Sequence, residues 1–147
     1  MSRTPEAEAG FGRLFGEDRI EALKKREPKF EKDFNDLMIT NVGTGPWSRG
    51  ILTQQQLSIS TLSLLAASGH FNQFEAHVRL ALTKTGVQLH ELRELLIHLT
   101  MYCGMPVGTE IHRIVRKVMR ELGISGDMAA TGDPSVADRK RETPGSA

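Results

Sequence analysis

A few side chains in this sequence have types and spacings that could do chemistry. His77 lies in the run Phe71–Thr85, FNQFEAHVRLALTKT, where Phe74, His77, Val78, Ala81 and Leu82 recur at i, i+3, i+4, i+7 and i+8. That spacing makes one apolar stripe on a helix, with the imidazole inside it. A histidine titrates near neutrality, so this one could give and take a proton. Composition alone favours the other reading, a histidine satisfied in a core or interface. Trp47, Ser48 and Arg49 sit in the glycine-rich stretch 41–52, NVGTGPWSRGIL. An indole beside a guanidinium can line a site for an anion, but the residues alone favour an indole that anchors the loop while the arginine stays in water. His98 and Tyr102 stand four residues apart, close enough on a helix to share a contact. Cys103 falls at the C-terminal end of a predicted helix, where the helix dipole opposes thiolate formation, so packing is favoured over nucleophilic chemistry.

Other constellations are missing. No HExxH spacing occurs, and no set of three or four ligands converges in sequence as zinc requires, so no metal or other cofactor is expected. No glycine loop has phosphate-binding spacing. The single cysteine excludes an internal disulfide and fits a reducing compartment. With 147 residues and a net charge of +1, the chain suits one soluble domain and carries no field for nucleic acid. The basic run Lys24, Lys25, Arg26, Lys29 and Lys32 is interleaved with Glu21, Glu27, Glu31 and Asp33, which describes a solvated helix face. No apolar run is long enough for a signal peptide or a membrane span, so a cytoplasmic protein is expected.

The elements that must position these groups are helices. Residues 1–15 read as a loose leader. A helix is expected from Glu17, interrupted at Pro28, with Phe30, Phe34, Leu37 and Met38 at helical spacing beyond it. Thr53-Gln-Gln-Gln56 is a capping box opening a helix that is apolar or small through Ala67, a pattern of burial on most sides. Gly86 suits the C-cap of the His77 helix. Leu89, Leu92, Leu96, Leu99 and Cys103 mark the inner face of the next. Gly104 stops it, and Pro106 opens a last helix to Gly123. From Ile124 the chain is too poor in large apolar residues to offset its ordering entropy and reads as a disordered tail. The fold class is therefore all-α with about six helices, and the domain spans 16–123.

The stretch 71–108, FNQFEAHVRLALTKTGVQLHELRELLIHLTMYCGMPVG, resembles the carboxymuconolactone decarboxylase family. The resemblance rests on the His77 helix, on Gly86 followed by Glu91, Leu92 and Glu94, and on Tyr102, Gly104 and Pro106. Upstream, Trp47-Ser48-Arg49 with Leu52, and Leu62, Leu64 and Leu65, extend it over about residues 37–122. It implies the helical fold shared with alkylhydroperoxidase D proteins, assembled as homotrimers or hexamers with active sites near subunit contacts. It also implies a cofactor-free lyase of aromatic catabolism that removes CO2 from a small anionic lactone such as 4-carboxymuconolactone. His77 would be the proton donor and Arg49 the anion anchor, with Trp47, Tyr102 and His98 also facing the substrate. His70 and Gln73 stand where the peroxidase branch has its Cys-x-x-Cys pair, which argues against thiol peroxidase chemistry. Gly45-Pro46 stands where decarboxylases have an acidic residue, and Leu57 where they often have an arginine. These two departures favour an alternative, a non-catalytic oligomeric binding or scaffold protein, while His77, Trp47 and Arg49 favour an enzyme. An isomerase or lactone-opening enzyme fits the same residues.

Overall fold

The computed structural model describes residues 3–125. Among them every regular element is a helix: α1 (Pro5–Phe15), α2 (Glu17–Arg26), α3 (Lys32–Thr44), α4 (Pro46–Arg49), α5 (Gln54–Ala67), α6 (Phe71–Thr83), α7 (Leu89–Cys103) and α8 (Met105–Glu121). The all-α class is as expected. The two segments beyond the expected six are α1 and the single turn α4. The described residues form two compact units, 3–62 with 79–87 and 63–78 with 88–125, so α5 and α6 each contribute to both.

The first unit corrects the reading of residues 1–15 as a loose leader. Thr4 caps α1, its hydroxyl oxygen accepting from the Ala7 amide at 3.2 Å, and Pro5 fits the first turn. Ala7, Phe11 and Leu14 then recur at i, i+4 and i+7 and are buried. Phe11 is 1% exposed and packs with Ala7, Ile20 and Ile39. Burying a side chain of that size contributes about 1.5–3 kcal/mol. The small residues of PEAEAGFGRLF hide this stripe in the sequence, and they are needed. A Cβ on Gly10 would strike the carbonyl oxygen of Gly43, and one on Gly43 would strike that of Ala7. Helices α1 and α3 therefore cross at backbone distance.

The face that α3 turns inward also differs from the expected one. Helix formation begins at Lys32, four residues after Pro28, and the buried positions are Asn35, Asp36, Ile39 and Gly43. Phe30, Phe34 and Leu37 are 97%, 67% and 47% exposed. Asp36 can stay inside because it is paired. Arg3 Nε donates to it at 2.6 Å and Lys32 Nζ at 2.5 Å, while Arg3 also bonds Glu27, which accepts from Asn35 at 3.0 Å. A buried charge is tolerable when it is paired and hydrogen-bonded in this way. The helix runs on through Thr44, so only part of 41–52 is loop. The capping box at Thr53 forms as predicted: Gln56 N donates to Thr53 Oγ1 at 3.1 Å, and Thr53 N donates to Gln56 Oε1 at 2.9 Å. The helix it opens is less enclosed than expected, since Leu57, Ser58, Leu62 and Ala66 are buried but Leu64 is 71% exposed.

In the second unit, α7 and α8 form a hairpin across Gly104. Leu92, Leu96 and Leu99 are buried on α7, and Ile111, Ile114, Val115 and Val118 on α8, as their spacing predicts. Gln88 and Glu91 make a reciprocal cap at the start of α7, Gln88 N donating to Glu91 Oε2 at 2.8 Å. Gly86, in the link before it, has φ +80°, the left-handed geometry that glycine adopts without strain. The predicted tail from residue 124 lies almost wholly outside the described residues.

Candidate active site

His77 sits midway along α6, between Phe74 and Val78, which are both fully buried. The ring itself is half-buried, on the shoulder of the apolar stripe. Burial strips water from the charged form and pushes the imidazole pKa below its usual value, so the resting side chain is neutral at pH 7. Two residues earlier, Glu75 takes a two-pronged contact from Lys117 of α8, with Nζ donating at 2.9 and 3.0 Å. This ion pair ties the N-terminal half of α6 to α8 and steadies the turn that carries the histidine.

On α7, His98 and Tyr102 touch ring to ring, with centroids 4.7 Å apart and planes inclined at 45°. Their one-turn spacing explains the contact. Both are exposed, Tyr102 at 77%. Cys103 is a free, partly buried thiol at the end of the same helix.

In the other unit, the Trp-Ser-Arg segment is the single turn α4, entered through Pro46 and closed by Gly50 in a left-handed conformation. Gln54 Nε2, at the head of α5, donates to the Trp47 carbonyl at 2.6 Å and holds the turn in place. Arg49 is exposed. Trp47 lines a cavity of about 230 Å³ together with Gly10, Arg13, Leu14, Gln54 and Lys84. The structure thus brings His98 to Tyr102 and sets Trp47 in a cavity whose cations are Arg13 and Lys84. Neither cation stood out in the sequence. Arg13 lay in the supposed leader, and Lys84 lay off the apolar stripe of its helix. Among the described residues, no three His, Cys, Asp or Glu side chains gather as a metal ion would need.

A chain whose described elements are all helices, with a half-buried histidine on α6, falls into a known group. The chain matches the family model of the carboxymuconolactone decarboxylase family over residues 36–116, more than half its length, and it belongs to that family. It is similar to a 4-carboxymuconolactone decarboxylase of Acinetobacter baylyi, 28% identical over 112 residues that cover 76% of this chain and 83% of the relative. It is also similar to a nitrosuccinic acid decarboxylase of Metarhizium robertsii, 25% identical over 114 residues, 78% of this chain and 79% of that one. No solved structure matches significantly. Both relatives are decarboxylases, and this chain is decarboxylase-like at the level of family.

Proposed function

We propose that the protein is a cofactor-free lyase that removes CO2 from a small anionic carboxylic acid, of the 4-carboxymuconolactone type, with His77 as the proton donor. The observation that carries this reading is the half-buried imidazole of His77 on the family-matched helix. In such a reaction the bond between carbon and carboxylate breaks, and its electron pair passes into an adjacent acceptor group. CO2 departs, and a proton must then reach carbon. Both relatives are named for acids in which a carboxylate can leave its electrons to such an acceptor, a lactone in one name and a nitro group in the other.

The lowered pKa of His77 suits this sequence of events. Before substrate binds, burial favours the neutral ring. An anionic substrate beside it favours the imidazolium, so the proton needed for carbon would arrive with the substrate. Arg49 would hold a carboxylate by paired hydrogen bonds, with Trp47, Tyr102 and His98 as walls. The site would be completed in a homo-oligomer, trimer or hexamer. The test is CO2 release from 4-carboxymuconolactone and from nitrosuccinic acid, comparing wild type with His77→Ala. A loss of about 10²–10⁴-fold is expected for removal of a general acid. Equal rates would remove His77 from the mechanism, and no release from either acid would leave the non-catalytic binding protein as the better reading.

A further inference from the structure

Of the residues that line the cavity beside Trp47, only the indole belongs to the proposed lyase site. The cavity lies within the first unit, holds about 230 Å³, and is lined by Arg13 from the last turn of α1, Lys84 just beyond α6, Gln54 from the head of α5, and the apolar surfaces of Leu14, Gly10 and Trp47. Arg13 and Lys84 are both exposed at its mouth, and among the described residues neither takes part in an ion pair. Two like charges beside one small concavity raise its potential and attract a counter-ion. The walls limit what that ion can be. The indole and the leucine ask for a flat or apolar body, and the volume, below the roughly 300–1,000 Å³ of drug-sized pockets, asks for a small one. Arginine offers a carboxylate two parallel donors, and lysine adds a point charge for a second acidic group.

We infer that Arg13, Lys84 and Trp47 form a binding site for a small dicarboxylic acid, its body against the indole and an acid group on each cation. The choice of carboxylate rests on the decarboxylase reading; the cavity and its charges do not. Gly10 belongs to the wall because α1 must approach α3 at backbone distance, so the close crossing that builds the unit also shapes the site. The N-terminal helix, which lies outside the family-matched residues 36–116, thereby brings a substrate-selecting cation that the family match does not cover.

Trp47 is the sole tryptophan, so intrinsic fluorescence comes from a wall of this cavity, and the Arg13 and Lys84 variants tie a change in it to the two cations. The full-length protein is titrated with succinate and, as a neutral control of the same shape, succinamide. Succinate should give a saturable change and succinamide none. Arg13→Gln and Lys84→Gln should each raise the dissociation constant at least tenfold, with far-ultraviolet circular dichroism unchanged. Arg13→Lys and Lys84→Arg, which keep the charge, should stay within a few-fold of wild type. Wild-type affinity in both Gln variants, or equal binding of succinamide, overturns the site. CO2 release measured in parallel separates this from the proposed function. A wild type that binds succinate through the two cations but releases no CO2 upholds the pocket and overturns the lyase. Normal release alongside Gln variants that bind like wild type upholds the lyase and overturns the pocket.

Discussion

In the proposed mechanism the chemistry is concentrated in His77, whose neutral form is favoured by burial. If it delivers its proton as an acid, the protonated free enzyme is the form that turns over. kcat/KM should then fall as pH rises through the lowered pKa, and a proton should be taken up when substrate binds. A pH–rate profile checks the first and titration calorimetry in two buffers the second. A profile that rises with pH would instead make His77 a base. Asp36 is the other residue with a distinct signature. The hydrogen bond from Lys32, and then that from Arg3, hold its carboxyl below the usual value against the opposing effect of burial. Its contribution to stability is therefore present above the unfolded carboxylate value of about 3.9. It is lost as pH falls through the lower, folded value. Asp36→Asn should lower the melting temperature at pH 7, because Arg3 and Lys32 then lack their shared partner. The gap from wild type should narrow as the solution is acidified below about pH 4, as thermal melts across pH will show.

At the scale of elements, the crossing of α1 and α3 is the most demanding contact in the described structure. Gly43→Ala would drive a methyl group into the Ala7 carbonyl. Backbone cannot give way as a flexible side chain can, so a loss of about 1–3 kcal/mol is expected, read as a lower urea midpoint with an unchanged slope. The same element scale shows a division of labour in the family motif after Gly86. Glu91 serves as the reciprocal cap of α7 and so positions the helix that carries His98 and Tyr102.

For the whole molecule, the exposed apolar side chains carry the clearest expectation. In the second unit, Leu64, Ile97, Met101 and Met105 are 71%, 42%, 75% and 69% exposed. Ile97 and Met101 stand one turn apart on α7, and apolar surface that is contiguous marks contacts with other proteins. We expect a homo-oligomer in solution, with light scattering giving a small multiple of the 16.3 kDa chain. Met101→Glu should shift that mass downward, and a monomeric wild type would sink the expectation.

Periodicity and capping were enough to place α2 and α5 through α8, because 3.6-residue spacing, a Thr–Gln box and glycine stops are local signals that need no partner. The His77 helix and the family motifs were legible for the same reason. What lay beyond the sequence were choices that depend on packing. Helix α1 hid behind alanines and glycines, whose value appears only when another backbone lies against them. The inward face of α3 was decided by Asp36, since a carboxylate goes inside only when Arg3, from far earlier in the chain, is there to meet it. Arg13 and Lys84, seventy-one positions apart in the numbering, share a cavity with Trp47 through tertiary folding alone, because no local rule relates charges on two segments so far apart in the chain.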